Sequence, residues 1–119
     1  MDPIKNKLCI TSYNSTGFGV DKQNFFETLL IFSDIVCIQE HFLLNSGSKK
    51  YNNTDKLIKK YGQSHDMFIV PAYKEKTQIT KGRGKGGLCT IFKRELTKYV
   101  SKINCDNFRI QATKFNFPQ

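Results

Sequence analysis

Residues 35–38, Ile-Val-Cys-Ile, form an unbroken apolar run that stops abruptly at Gln39-Glu40-His41. A short continuous run of this kind suits a central strand buried on both faces. Leu8-Cys9-Ile10-Thr11-Ser12-Tyr13 is rich in β-formers and reads as a second strand. It runs into Asn14-Ser15-Thr16-Gly17-Phe18-Gly19, a loop by composition. Between the two strands, a helix is expected from about Lys22 to Phe32, capped by Asp21. Phe25, Leu29 and Phe32 fall at i, i+4 and i+7, with Phe26 and Leu30 beside them.

Further along, a second helix fits Asp55 to Tyr61, with Asn53 or Thr54 as cap and Gly62 at the C-terminal stop. Strands are expected over Met67–Val70, Gly87–Phe92, Tyr99–Ile103 and Phe108–Phe117. The β-α-β opening followed by successive strands indicates a mixed α/β fold with helices packed on a sheet. The apolar share of 39% is enough for a core and excludes a wholly disordered chain. No run approaches the roughly 20 apolar residues that a membrane span needs, and Met1-Asp2-Pro3-Ile4 does not read as the start of a secretory signal, so none is expected. Cys9, Cys37, Cys89 and Cys105 form no C-x-x-C pair and fit no zinc spacing. Three of them lie in apolar runs, where a thiol behaves as a small buried hydrophobe. The expected compartment is reducing, cytosol or nucleus, rather than secreted.

The net charge of +9 is uneven. Residues 1–60 carry eight Lys against six acids, whereas residues 61–119 carry eight Lys and three Arg against four acids. The densest stretch runs from Lys74 to Lys85. Such a cluster concentrates polyanions, and phosphate backbones are the obvious ones. The glycine-bearing part, Gly82-Arg83-Gly84-Lys85-Gly86-Gly87, is not a Walker loop and not a dinucleotide fingerprint, because a strand follows it. Two readings stay open. It is a flexible loop beside a DNA groove, with Lys81, Arg83 and Lys85 touching phosphates, or it is a solvated, mobile turn.

Asn14 and Glu40 each fall just past the C-terminal end of an expected strand, where open α/β sheets bind ligands. If those strands are parallel and adjacent, the pair meets at one rim. One carboxylate plus one amide is a modest donor set, but it suits Mg²⁺, which keeps several waters and completes its shell with substrate phosphate.

Ser12-Tyr13-Asn14 after an apolar strand, then Asp34-Ile35-Val36-Cys37-Ile38-Gln39-Glu40-His41, resembles the endonuclease/exonuclease/phosphatase superfamily. The D-I-x-C-x-Q-E-H form looks most like the apurinic-endonuclease-like domain of LINE-type retrotransposons. Gly82 to Leu88 before a β run is similar to a third landmark, and the set spans roughly Leu8 to Phe117 in family order. The resemblance implies a four-layered α/β sandwich, two facing sheets with outer helices, of which residues 1–119 are the N-terminal part. It implies a Mg²⁺-dependent (or Mn²⁺-dependent) phosphodiesterase that nicks DNA, in a reading frame continuous with a reverse transcriptase in a full-length element. Glu40 would be the metal-binding carboxylate, and Asn14 would orient the scissile phosphate and help hold the metal shell. His41 is expected to be hydrogen-bonded at the rim, without a chemical role.

The departures are equally specific. The family's later Gly-Asp-x-Asn and Ser-Asp-His words, which would supply the water-activating base, are missing. Phe115-Asn116-Phe117-Pro118 stands where the family tends to place a tyrosine before a proline. The 119 residues alone are therefore expected to be inactive, and marginally stable. Two alternatives follow: a catalytically dead copy that binds nucleic acid through its basic half, and a lipid-headgroup phosphodiesterase of the same superfamily. No obligate protein partner is evident.

Overall fold

A computed structural model describes residues 7–45, 53–73 and 84–118. Along the chain run β1 (Ile10–Asn14), α1 (Val20–Phe32), β2 (Ile35–Gln39), α2 (Asp55–Tyr61), β3 (His65–Val70) and β4 (Leu88–Lys93). A 3₁₀ helix (Arg94–Tyr99), β5 (Val100–Ile103) and β6 (Ala112–Phe115) follow. The first four strands make one mixed sheet in the order β1-β2-β4-β3, and β5 and β6 make a separate antiparallel pair. β1 and β2 are parallel neighbours, with Ile10 opposite Ile35 and Asn14 opposite Gln39. β4 runs antiparallel to both β2 and β3. The chain is thus α/β, with a mixed four-stranded sheet, a two-stranded sheet and helices.

The period-2 alternation of the sheet sends its apolar side chains to two separate cores. Val36, Ile38, Cys89 and Ile91 face the helices and pack with Phe18, Phe26, Leu57 and Tyr61. Ile35 and Phe92 face the other way and pack with Leu96, and Tyr99, Val100 and Phe115 close over them. The uninterrupted run at 35–38 is explained by these two cores: Ile35, Val36 and Ile38 are all at most 1% exposed. Asp34, just ahead of the run, is buried as well. Its carboxylate accepts the Cys9 backbone N–H at 2.8 Å and pairs with Lys93 at 3.3 Å, which ties the start of β1 to the end of β4.

Several expectations need correction. α1 begins two residues before Lys22, and Asp21 sits in its first turn, where its charge suits the helix dipole, rather than at the cap. Its buried side is built on Gln23 and Phe26, whereas Phe25 and Phe32 are 52% and 69% exposed. The helix is apolar on several sides, so periodicity alone did not choose the buried one. Thr54 occupies the cap position of α2, but Asn53 supplies the side-chain acceptor, taking the Asp55 N–H at 3.0 Å. The expected strand over 108–117 shrinks to Ala112–Phe115, and Arg94–Tyr99 is a 3₁₀ helix ahead of β5. Cys89 is buried and Cys37 half-buried, but Cys9 is exposed because it precedes the outermost strand. Among the described residues, no helix is long and apolar enough to cross a membrane.

Candidate functional site

The parallel pairing of β1 and β2 delivers Asn14 and Glu40 to the same rim of the sheet. Asn14 ends β1 opposite Gln39, so Glu40 is the next residue out. Glu40 then adopts a left-handed backbone, φ 56°, which turns its carboxylate back across the rim. The Asn14 side-chain N–H donates to Glu40 Oε2 at 2.5 Å. The other end of the amide is committed too: Asn14 Oδ1 accepts the Thr16 N–H at 3.2 Å and the Thr16 hydroxyl at 3.1 Å. This Asx-type turn fixes which end of the amide faces the carboxylate. Asn14 therefore acts here by holding Glu40 in place.

The surrounding backbone is strained. Thr16, Glu40 and Phe42 all have positive φ, at 46°, 56° and 60°. Each such residue costs on the order of 1–3 kcal/mol and persists only when its surroundings over-determine it. Those surroundings are visible. Ser15 is fully buried, its N–H donates to the Gln39 carbonyl at 3.0 Å, and its hydroxyl reaches the Gln39 and Glu40 carbonyls, each at 3.3 Å. The Gly17 N–H donates to the Glu40 carbonyl at 2.7 Å.

His41 is hydrogen-bonded as expected, but it is sealed inside the protein rather than at the rim, with 0% exposure. Its Nδ1 accepts the Leu43 N–H at 2.9 Å, which leaves the proton on Nε2, 3.3 Å from the Leu88 carbonyl. Both nitrogens are thus engaged with backbone. Burial pushes the imidazole down to about 4, against the opposing pull of the Leu88 and Val70 carbonyls. A neutral, enclosed ring of this kind is a scaffold for the Glu40 turn and not a proton carrier for substrate.

The basic glycine stretch divides at the edge of the described residues. Lys81 and Arg83, expected to touch phosphates, lie outside them. Lys85 is exposed, and its backbone exchanges two hydrogen bonds with Tyr73, at 2.7 and 3.0 Å. Gly84 and Gly87 are buried, so this part is not a solvated turn. A Cβ on Gly84 would lie 2.6 Å from Leu44 Cδ2 and 2.8 Å from Ala72 Cβ. Gly87, with φ +98°, lies directly against the His41 ring.

Beside Glu40 opens a cleft of about 390 Å³, lined in part by Gln39, Gly87, Tyr73, Phe108 and Arg109. Sequence reasoning missed the last three. Tyr73 follows a strand-ending proline, and Phe108-Arg109 read as part of a strand, so nothing in the one-dimensional pattern brought them together.

Among the described residues, no three His, Cys, Asp or Glu side chains converge to cage a metal ion. Among the described residues, the rim offers one oriented carboxylate, that of Glu40. That donor set fits a hard, largely hydrated cation better than a protein-caged transition metal. No family model, curated protein or solved structure matches the chain.

Proposed function

We propose that this chain carries the metal- and phosphate-holding part of a Mg²⁺-dependent phosphodiesterase site that acts on DNA. One observation carries the reading: Asn14 and Glu40, 26 residues apart, are joined at the C-terminal ends of two adjacent parallel strands by a hydrogen bond. Glu40 would hold Mg²⁺, or Mn²⁺ in its place, with Asn14 fixing the carboxylate. The cation would supply charge neutralisation at a phosphodiester. The net charge of +9 favours a polyanionic substrate, and Lys85, adjacent in sequence to Gly86 of the cleft lining, is exposed. The four-layered sandwich belongs to the same reading. It is supported by the second core, in which β5 and β6 pack on the face of the sheet opposite the helices.

Hydrolysis also needs a group to activate water. His41 does not serve, because both its nitrogens are engaged inside the protein. The isolated 119 residues are therefore expected to bind DNA without turning it over. Titrating a fluorescent duplex with the chain, with and without Mg²⁺, tests the site directly. Mg²⁺ is expected to tighten binding roughly tenfold, about 1.4 kcal/mol. Glu40→Gln should abolish that increment and leave the salt-dependent part of the affinity intact. An identical Mg²⁺ response in Glu40→Gln would remove Glu40 from the site.

The nicking activity itself is tested by sequencing the transcript past codon 119 and assaying the full reading frame on supercoiled plasmid. Nicks that need Mg²⁺ and Glu40 support the phosphodiesterase. A frame without activity leaves the second reading, a DNA-binding protein that works through its basic surface. That second reading has its own support in the charge of the second half.

A further inference from the structure

The cleft beside Glu40 has a wall for which the metal site has no use. The rings of Tyr73 and Phe108 meet with centroids 4.5 Å apart and planes inclined at 58°. The Arg109 guanidinium carbon lies 5.6 Å from the Phe108 centroid, and Arg109 Nη2 donates to the Tyr73 hydroxyl at 3.4 Å. Despite these contacts, Phe108 is 49% exposed. The cleft volume of about 390 Å³ is within the range of small-ligand sites.

The segment that carries Phe108 and Arg109 has no regular structure, yet a local turn shapes it and its C-terminal end is tied to the sheet. Asn107 Oδ1 accepts the Arg109 N–H at 2.8 Å, and the Asn107 carbonyl accepts the Ile110 N–H at 3.0 Å. Gln111 then fastens the segment to the sheet. Its side-chain N–H donates to the Phe68 carbonyl at 2.8 Å, and its side-chain oxygen accepts the Thr90 hydroxyl at 2.7 Å. The rings and the guanidinium are held near Glu40 before any ligand arrives, which lowers the ordering cost of binding.

Two aromatic rings and a guanidinium at one wall make a recognition set with definite chemistry. A nucleobase stacks on aromatic or guanidinium planes, and a phosphate takes paired N–H donors from arginine. In a duplex, neighbouring pairs cover the faces of each base, so only an unpaired nucleotide can use such a wall. We propose that Tyr73, Phe108 and Arg109 bind one unpaired nucleotide next to the phosphate held at Glu40. The position of that phosphate rests on the reading above. The preference for an unpaired base rests on the wall alone.

The test uses two DNA hairpins labelled with a fluorescent purine analogue, one with the analogue unpaired in a bulge and one with it fully paired. Affinities are measured in EDTA, so that neither metal nor turnover contributes. The unpaired probe should bind roughly tenfold more tightly than the paired one. Its fluorescence should fall as the base stacks. Phe108→Ala should bring the two affinities together, and Phe108→Trp, which keeps a stacking face, should restore the difference. Equal affinities in the wild-type chain would overturn the proposal, and so would a preference that survives Phe108→Ala. A preference for the unpaired probe, together with a full reading frame that does not nick plasmid, would sink the phosphodiesterase and spare the subsite. Nicking without the preference would do the reverse.

Discussion

Gly87→Ala is expected to destabilise the protein by roughly 3–5 kcal/mol and to lower its Tm by on the order of 12–20 °C. Two effects add. Gly87 has φ +98°, which L side chains rarely adopt. Its missing Cβ would also lie 2.3 Å from His41 Cε1 and 2.5 Å from Nδ1. The imidazole has little room to retreat, because backbone groups hold both its nitrogens and the ring is fully buried. Moving the ring would drag the Glu40 turn with it. Thermal melts of Gly87→Ala, His41→Ala and the double variant form a cycle that isolates this contact. The double variant should be less destabilised than the sum of the singles, because removing the ring removes the clash. A Gly87→Ala protein that melts within a degree or two of wild type would show that the glycine and the histidine are not in register as described.

The second large effect is a dependence of stability on pH. The His41 imidazole is held at about 4 in the folded protein, mainly by burial, against an ordinary value of 6.5. Above pH 6.5 the ring is neutral in both states, and its contribution is fully present. As pH falls below 6.5, the unfolded chain takes up a proton that the folded chain refuses. Stability then drops by about 1.4 kcal/mol per pH unit until the folded ring protonates near pH 4. The integrated loss is about 3 kcal/mol. Burial lowers His65 as well, with help from the Lys93 charge, so it tilts the curve in the same direction. Urea melts across this window should therefore be run on wild type and on His41→Asn. The variant should be less stable at neutral pH and should show a flatter decline. An unchanged slope in His41→Asn would assign the pH dependence to other groups.

The order of the early elements could be read from the sequence because each had a strong local cause. The run at 35–38 needed cover on both faces and has it, from the helices on one side and from the 3₁₀ helix and β5–β6 on the other. The meeting of Asn14 and Glu40 followed from one topological condition, that β1 and β2 be parallel neighbours, and that condition is met. Less was visible where the pattern was degenerate. α1 carries apolar residues on several sides, so the choice of Phe26 over Phe25 depended on what α2 presents, namely Leu57 and Tyr61. The Phe108–Gln111 segment alternates like a strand, but tertiary hydrogen bonds from Gln111 to Phe68 and Thr90 fasten it instead as an irregular wall. In the sequence Gly87 reads as the end of a flexible or solvated loop, whereas its immediate reason is a histidine 46 positions earlier in sequence, whose ring fills the space a Cβ would need.

The parallel register of β1 and β2 also ties the rim to the crossover that joins them. Unlike a hairpin, this pair cannot form until the helical crossover has closed behind it, and non-local pairing of that kind is slow to nucleate. The Asn14–Glu40 bond is consequently absent from any species that holds only local structure. Whatever ligand binds this rim binds only the finished crossover, so by mass action it draws the chain toward the completed sheet.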